Sequence, residues 1–448
     1  MFTVNSTADA HDANAGDGIC ETAAGNHVCT LRAAIEEANE LAGADTIVLQ
    51  PNVTYTLTMT STLDTLTSDL NVIDSVTITG SGPDSTIIDG NGAVTGHRVF
   101  ELFQCIDNAM ACSKGNVSVT MSGLTIKNGF ATNIAGGIYN TAILTLDNVA
   151  VTDNAANGLN DWGGGIFSAG PLTMTNCLLA NNQTGAHNAY GGGMYSQGTL
   201  TIIDSTISGN STYSGPSSPG EGGGLFLIGS PTTIRNSTIS GNRAAVGGGI
   251  YHGGYPVVLI NSTISGNTSD GNGGGLHNAS GTTGLYNVTV TQNIANNDAA
   301  GFSYGGGLSN ATGTVTVINS VIAGNEVVIP TLPFPTLDFD ECVGIISNQG
   351  YSILQYVDTN NCTVVGAYST GDPQLGELQF NGGPTQTHAI SPGSAAIDAG
   401  NPAGCTDDLG ATITTDQRGI HRPYGSACDI GAFEYADIIF RNGFEPPI

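Results

Sequence analysis

The sequence predicts an all-β protein: a right-handed, single-stranded parallel β-helix with an N-terminal capping helix and a disulfide-stapled C-terminal segment. The first reason is a repeated unit, since "GGGLFLIGSPTTIRNSTISGN" ends at Asn242 and "GGGIYHGGYPVVLINSTISGN" ends at Asn267. The second reason is the alternation inside each unit, because apolar residues at every other position indicate short, half-buried strands. A unit this short cannot bury its apolar face alone, so the units must stack as coils.

The asparagine that closes each unit recurs along the chain, at Asn128, Asn154, Asn182, Asn210, Asn242, Asn267, Asn293 and Asn325. In coils stacked about 4.8 Å apart, equivalent amides can bond to one another and form a ladder that satisfies buried turn groups. The glycines mark sharp bends or crowded backbone, where a Cβ would be costly. Cys177 occupies a strand position that other units fill with Ser or Val, which predicts a buried space-filling thiol and not a nucleophile.

Three regions follow from this pattern: an N-terminal cap over residues 1–50, parallel β-helix coils over 51–325, and C-terminal coils with an anchor-like cap over 326–448. In the cap, Thr30 is placed to begin a helix whose apolar stripe consists of Leu31, Ala34, Ile35, Ala38 and Leu41. We expect the acidic residues of this helix to face water: Glu36, Glu37 and Glu40. The helix would cover an end of the solenoid that is otherwise open to aggregation.

Composition restricts the class of partner. The chain has 9 Lys and Arg against 37 Asp and Glu, a formal charge of −28, which disfavours nucleic acid and anionic membrane surfaces. No apolar run is long enough for a transmembrane helix. We expect a secreted or bacterial cell-surface protein whose signal peptide has been removed, monomeric or self-associating laterally or end to end.

Eight of the nine cysteines fall into neighbouring couples, which predicts four disulfides: Cys20–Cys29, Cys105–Cys112, Cys342–Cys362 and Cys405–Cys428. Local pairing outside the repeats indicates an oxidising compartment. A metal site is the alternative, although no C-x-x-C spacing is present.

Three stretches resemble known families. "VCTLRAAIEEAN" (28–39) is similar to the opening segment of bacterial secreted β-helix proteins of the CSLREA type, with Thr30 and Ala33 where Ser and Glu are usual. The segments 371–400 and 415–435 resemble the choice-of-anchor Q domain, and the "GGGIY…NSTISGN" coils resemble repeats of polymorphic outer-membrane proteins. The resemblance implies export and a β-helical stalk, retained at the cell surface by its C-terminus, and implies no reaction.

The loops between each asparagine and the next glycine cluster vary most, so specificity can reside there. The residue before each glycine cluster forms a column, at Trp162, Tyr190, Glu221, Val246, Asn272 and Tyr304. Trp162 and Tyr190 lie one coil apart and would form a flat aromatic platform. With Asp161, His187 and Glu221 beside it, this platform suits the apolar face and hydroxyls of a glycan, and Tyr304 is a further candidate contact. The alternative is aromatic packing that shields a loop corner.

Catalytic candidates are weaker. Asp161 and Glu221 lie two coils apart, at the limit of the carboxylate spacing that glycoside hydrolysis needs. Arg235 and Arg243 offer the positive charge that a polyuronate lyase requires.

Two further motifs carry alternatives. Asp9, Asp12, Asn14 and Asp17 offer the alternating oxygens that suit calcium, the one cofactor the sequence suggests, with an Asx-rich turn as the alternative. In the C-terminal segment, Asp416 and Arg418 are expected to pair and hold the last coils, and His388 and His421 lie in the same match.

The sequence therefore favours an exported, non-catalytic β-helix that binds a polysaccharide or cell-surface glycan through its loop edge, in the manner of an adhesin. The alternative function is a polysaccharide-degrading enzyme, a lyase or glycoside hydrolase, acting along that same edge.

Overall fold

The computed structural model describes residues 1–60, 68–103, 116–158, 161–185, 188–212, 214–215, 218–299, 303–331 and 334–436. Within them the chain is an all-β parallel solenoid, as the repeats predict, with strands that pair to the equivalent strand of the next coil. Two helices are present in this part of the chain, Leu31–Glu40 and Gly92–Thr95.

A complete coil has four strands between one glycine cluster and the next. The first strands are Leu70–Val72, Phe100–Leu102, Ile138–Asn140, Ile166–Ser168, Met194–Ser196, Leu225–Leu227, Ile250–Gly253, Leu276–Ser280, Leu308–Asn310 and Cys342–Asn348. The fourth strands follow the asparagine and are Phe130–Ala131, Ala155–Ala156, Gln183–Thr184, Ser211–Thr212, Arg243–Ala244, Thr268–Ser269, Ile294–Ala295 and Glu326–Ile329.

The second and third strands of each coil lie between its first and fourth strands. In two coils they merge into one strand, Ser118–Lys127 and Ile143–Thr152. The second strands are Phe2–Thr3, Asp45–Val48, Val76–Thr79, Ser118–Lys127, Ile143–Thr152, Leu172–Thr175, Leu200–Ile203, Thr232–Arg235, Val257–Ile260, Thr282–Tyr286, Thr314–Ile318 and Cys362–Val365. The third strands are Val53–Thr56, Thr86–Asp89, Leu178–Ala180, Thr206–Ser208, Thr238–Ser240, Thr263–Ser265, Thr289–Thr291, Val321–Ala323 and Ile353–Leu354. Three antiparallel pairings add to the coils: Thr336–Phe339 on Glu326–Ile329, Ser214–Gly215 with Ser218–Pro219, and Leu375–Gln379 with Thr387–Ile390.

The predicted asparagine ladder is confirmed from Asn154 to Asn325. The Nδ2 group of each asparagine donates to the Oδ1 atom of the asparagine in the next coil at 2.8–3.0 Å. The same Oδ1 atom also accepts the backbone N–H of the donating asparagine. Each Nδ2 has a second acceptor in a backbone carbonyl, as between Asn242 and Ile207 at 3.0 Å. All these asparagines are fully buried, so the ladder places a satisfied polar column inside the core.

Both ends of the ladder differ from the prediction. Asn128 does not join it, because the structure aligns Gly129 with Asn154, and the Gly129 N–H donates to the Asn154 Oδ1 at 2.8 Å. Asn128 instead has a left-handed backbone, with φ 56°. At the other end Glu341 takes the place of a further asparagine, and its carboxylate accepts from Asn325 and from the Gly324 N–H.

The glycine clusters are required by close backbone approach. At Gly191, φ is 68° and a Cβ would lie 2.1 Å from the Met194 carbonyl oxygen. The two following glycines of the cluster face the next coil's glycines and the ladder asparagine, where a Cβ would meet atoms at 2.4–3.1 Å. The bend therefore excludes any side chain, which explains why the cluster recurs.

The capping helix begins at Leu31, and the Thr30 side chain accepts from the Ala33 N–H at 3.1 Å, as predicted for its N-cap. The expectation that Glu37 faces water is wrong. Glu37 is fully buried, and its carboxylate accepts from the N–H groups of Gly16 and Gly18. The helix thus organises the loop that precedes it as well as covering the first coils.

The C-terminal segment packs along the outer side of the third strands. Thr238, Thr263 and Thr289 occupy one register position in successive coils, and each is hydrogen-bonded to this segment. Their partners are the Gln386 carbonyl at 2.6 Å, the Gln417 Oε1 at 2.6 Å and the Ala432 N–H at 3.1 Å.

Ion pairs inside the C-terminal segment complete its packing. The predicted Asp416–Arg418 pair is present at 2.6 Å, and a wholly buried Arg422–Glu434 pair lies beside it at 2.9 Å. His388 is buried between Ser265 and the Gly376 carbonyl, and no substrate can reach it there.

Three predicted disulfides are confirmed, Cys20–Cys29, Cys342–Cys362 and Cys405–Cys428. The fourth, Cys105–Cys112, lies outside the described residues. Cys177 is free and buried as predicted, and burial raises the pKa of its thiol to about 11, which suppresses the reactive thiolate.

We predict that Asn242→Ala lowers the free energy of unfolding by about 1–3 kcal/mol, because the Asn210 amide and the Ile207 carbonyl lose buried partners. Urea denaturation followed by circular dichroism measures this, with Asn133→Ala at an exposed loop position as the control. Equal midpoints for the two variants would contradict the role of the ladder.

We predict that Glu341→Gln reduces the pH dependence of stability. Burial raises the pKa of Glu341 from 4.5 to about 7 against the opposing hydrogen bonds of Asn325 and Gly324. The folded state then holds the proton more tightly than the unfolded chain, so the free energy of unfolding falls as pH rises from about 4.5 to about 7. Glutamine should lessen that fall by up to about 3 kcal/mol.

Denaturation midpoints at the two ends of this pH window provide the measurement, and Glu326→Gln in a fourth strand is the matched control. A variant whose stability falls as steeply as that of the parent chain would refute the assignment.

Candidate ligand-binding surface

The first strands carry a column of aromatic side chains on their outer face. The central residues of successive strands are in register, and five of them are rings: Tyr139, Phe167, Tyr195, Phe226 and Tyr251. Adjacent ring centroids lie 4.8–5.4 Å apart with interplanar angles of 12–15°. We call these five residues the aromatic column. They form an apolar cluster separate from the interior core.

The predicted column of corner residues is confirmed by backbone pairing from Trp162 through Tyr190 and Glu221 to Val246. The Trp162 ring stacks on Tyr195 with centroids 5.2 Å apart and an interplanar angle of 10°. Tyr190 packs against Phe226 at 4.8 Å, and burial together with the nearby Glu221 carboxylate raises the pKa of the Tyr251 phenol. Trp162 and Tyr190 thus contact the aromatic column one coil further along.

This geometry changes what a ligand can contact. Because the rings stack on one another along the solenoid axis, most of their faces are covered by neighbouring rings. Phe167, Tyr195 and Phe226 are only 4–6 % exposed, whereas Tyr139 and Tyr251 are half-buried. The accessible part of the column is therefore mainly Tyr139 and Tyr251, in place of the flat platform that the sequence suggested, and the geometry favours the packing alternative for the ring faces.

A charged cluster lies at the N-terminal end of the aromatic column. The Arg98 guanidinium lies 5.1 Å from the Tyr139 ring centroid, 3.0 Å from the Glu101 carboxylate and 3.6 Å from the Asp69 carboxylate. His97 lies 3.6 Å from Asp69. These residues lie where later coils have their glycine clusters. The pairing of the first strands aligns Leu70 and Phe100 with Ile138, so that Ser68–Asp69 and His97–Arg98 take the positions of the glycines before that strand.

The two carboxyls of this cluster both lie beside the Arg98 guanidinium and are largely removed from water. Burial raises the pKa of Asp69 to about 7, with the Arg98 charge opposing it and the Glu101 charge adding to it. Burial also raises the pKa of Glu101.

At the other end His277 continues the column and packs against Tyr251 at 5.3 Å. Its Nδ1 lies 2.9 Å from the Ser309 hydroxyl, and burial lowers the pKa of His277 to about 4. The His277 side chain is consequently uncharged at physiological pH.

The remaining predicted site residues lie apart from the aromatic column. Asp161 is fully buried and accepts from the Gly158 N–H at 2.6 Å, a placement that does not favour a catalytic acid. Tyr304 is half-buried further along the corner, where its N–H donates to Asn272. Arg235 pairs with Asp407 at 3.5 Å, and Arg243 pairs with Asp270 at 2.9 Å. His187 lies outside the described residues.

The four candidate calcium ligands take part in other interactions. Asp9 pairs with Arg32 at 2.7 Å, and this partner lowers the pKa of Asp9 although burial acts to raise it. Asp12 and Asp17 accept from backbone N–H groups two residues on, and Asn14 donates to Asp17. These contacts favour the Asx-turn alternative, and calcium binding stays a prediction.

Among the described residues no group of three or more His, Cys, Asp or Glu side chains is arranged to hold a metal ion.

Sequence reasoning missed the aromatic column and the Arg98 cluster. A signal for the column exists, since each ring follows the glycine cluster at a fixed offset, as in "GGIY" and "GGMY". The Arg98 cluster carries no such signal, because its coils lack the glycines that align the others.

Comparisons with known proteins add little. No protein-family model matches the chain, and no curated protein sequence matches it. A similar solved structure is the crystal structure of pectate lyase Pel9A, with 15% sequence identity, 97% of each chain covered and a TM-score of 0.48. The family resemblances and the bacterial origin suggested by the motifs stay predictions. No helix in the described ranges is long and apolar enough to cross a membrane.

We predict that Trp162→Ala lowers the free energy of unfolding by about 1–3 kcal/mol, because stacking on Tyr195 and Phe167 is lost. Trp162→Phe should recover most of this stability. Chemical denaturation of both variants provides the measurement. If Trp162→Ala is as stable as the parent chain, the ring does not contribute to the packing.

Proposed function

We propose that the protein is an extracellular β-helix that binds a linear glycan along the aromatic column, parallel to the solenoid axis. The observation that supports this best is the alternation of Tyr and Phe in that column. Tyr139, Tyr195 and Tyr251 occupy every second coil, with Phe167 and Phe226 between them.

The alternation gives the surface a two-coil repeat. Coil spacing of about 4.8 Å puts equivalent tyrosine hydroxyls about 10 Å apart, close to the length of two sugar units in an extended chain. Phenol hydroxyls donate and accept hydrogen bonds, as sugar hydroxyls do. Gln197 beside Tyr195, at 3.2 Å, and Glu221 beside Tyr251 add further polar groups to the same row.

An extracellular location is supported by the disulfides at both ends of the chain, since such bonds persist in oxidising compartments. The strong negative charge suits a soluble exported protein and disfavours nucleic acid as a partner. Adhesion to a glycan-bearing surface is the role that fits a long, repetitive binding face.

The second candidate function is glycan cleavage at the Arg98 cluster, favoured by the Asp69 and Glu101 carboxyls that lie beside the Arg98 guanidinium at the end of the column. Its geometry does not match glycoside hydrolysis, which needs two carboxyls about 5–9.5 Å apart. Incubation with a polysaccharide panel, followed by assays for reducing ends and for unsaturated uronate absorbance, separates binding from cleavage. Release of either product, lost in Glu101→Gln, would replace the binding proposal with an enzymatic one.

We predict that the triple variant Tyr139→Phe/Tyr195→Phe/Tyr251→Phe binds oligosaccharides at least about tenfold more weakly, because each lost hydroxyl removes a hydrogen bond of about 1 kcal/mol. The rings remain, so the stacking and the unfolding midpoint should change little. Titration followed by the emission of Trp162, the only tryptophan, reports binding next to the column.

The matched control is Tyr424→Phe, which removes the hydroxyl of an exposed tyrosine in the C-terminal segment. Equal affinity of the triple variant and the control, for every glycan that binds, would place the ligand elsewhere on the solenoid.

A further inference from the structure

A groove runs along the fourth strands, parallel to the solenoid axis. It consists of two cavities that share Ala155 and have volumes of about 320 and 370 Å³, within the range of small-molecule sites. The first cavity is lined chiefly by Ala155, Asn157, Gln183, Thr184, Ser211 and Thr212. The second is lined chiefly by Asp89, Asn91, Asn128, Phe130, Asp153 and Ala155.

One row of side chains explains where the groove lies. Phe130, Ala155, Gln183, Ser211 and Arg243 occupy one register position in successive coils. Because Ala155 and Ser211 are small, the row is open between the large side chains of Phe130 and Arg243. These strands form a nine-stranded sheet that does not contain the aromatic column, so the groove is a separate surface.

Two buried threonines in the groove have unpaired hydroxyls. Thr184 and Thr212 line the first cavity in adjacent coils and are only 2 % and 4 % exposed. Neither Oγ1 atom has a hydrogen-bond partner among the described residues. Alanine occupies the equivalent position in the flanking coils, at Ala131, Ala156 and Ala244. Packing at this position therefore does not require a hydroxyl.

A hydroxyl at this position can be satisfied within its own coil. Ser269, two coils beyond Thr212, donates to the Gly271 carbonyl oxygen at 2.7 Å. Thr184 and Thr212 form no such bond, and a buried hydroxyl without a partner costs stability. This cost, repeated in two adjacent coils beside one cavity, is offset when a bound molecule supplies the missing partners.

The other lining groups restrict the class of ligand. Gln183 carries an exposed amide that donates and accepts hydrogen bonds. Asp89 and Asp153 line one end of the groove, whereas Arg243, beyond the other end, is already paired with a carboxylate at 2.9 Å. These groups suit the hydroxyls of a neutral sugar and disfavour a polyuronate. The strands under the first cavity pair on both sides, so an extended peptide cannot join the sheet there.

We infer that this groove is a second glycan-binding site, in which Thr184 and Thr212 hydrogen-bond the hydroxyls of a neutral, linear oligosaccharide. The two threonines lie one coil apart, about 4.8 Å, so that successive sugar units of an extended chain can each meet one hydroxyl. The site lies on a different sheet from the aromatic column, and the inference therefore goes beyond the proposed function.

Isothermal titration with cellohexaose, xylohexaose, mannohexaose and hexagalacturonate tests this. We expect a neutral chain to bind, and Thr184→Val/Thr212→Val to bind it at least about tenfold more weakly, because two hydrogen bonds are lost. The unfolding midpoint of this variant should equal or exceed that of the parent chain, because a methyl group replaces each unpaired buried hydroxyl. The matched control is Thr173→Val/Thr201→Val, the same change on the second strands of the same two coils, and it should bind as the parent chain does.

Two further variants locate the ligand. Ala155→Leu places a larger side chain where the two cavities meet and should block binding in the groove. The triple variant Tyr139→Phe/Tyr195→Phe/Tyr251→Phe should retain the binding step that Ala155→Leu loses.

Each other outcome overturns a defined part. Equal affinity of Thr184→Val/Thr212→Val and its control refutes the inference and leaves the aromatic column as the candidate site. A lowered unfolding midpoint in that variant assigns the two hydroxyls to the fold, through a bound water, and also refutes it. Tightest binding of hexagalacturonate overturns the choice of a neutral chain. Loss of all binding in the tyrosine variant supports the proposed function and refutes the second site. Binding of no neutral chain overturns the inference.

Discussion

The ladder of buried asparagine amides holds successive coils of this solenoid in one register. A parallel stack of short strands has no turn between paired strands to fix their alignment, and a slip of one residue would move every interior side chain to the surface. An amide that donates to the next amide and to a backbone carbonyl is satisfied in one alignment only. From Asn154 to Asn325 this condition is repeated in coil after coil, and it is closed by the Glu341 carboxylate.

Every other periodic feature depends on that register. The glycine bends meet because the ladder lies beside them, and the outward residues of the first strands then lie directly above one another. Alignment at this precision turns separate aromatic residues into a continuous column with rings about 5 Å apart. The polar groups along its edge have the same spacing, so the candidate surface repeats with the period of the fold.

Much of this architecture could be predicted from the sequence, because the repeats carry it locally. The asparagine ladder, the Thr30 cap, three disulfides and the buried Cys177 follow from spacing and residue type alone. The place of Asn128 could not be foreseen, because it has the left-handed backbone of the residue that precedes each ladder position, as Asp153 and Asn181 do, and Gly129 takes the ladder position itself. The burial of Glu37 depends on a loop that folds back onto the helix from the preceding sequence.

The candidate surface was predicted only in part for a related reason. The corner column is visible because its residues precede the glycines and vary from coil to coil. The Asp69–Glu101–Arg98 cluster brings together residues from two irregular coils that share no motif, and tertiary pairing alone unites them. The docking of the C-terminal segment joins residues about 150 positions apart, such as Thr238 and Gln386, and no local pattern encodes such contacts.

That docked segment gives the stack a mechanical property that its repeats lack. A solenoid with contacts only between neighbouring coils frays from its ends, one coil at a time. Here the segment from about residue 371 to 435 is bonded side-on to several consecutive coils through Thr238, Thr263 and Thr289. Tension applied at the C-terminal end is therefore distributed as shear over many parallel hydrogen bonds, and those coils resist peeling as one block.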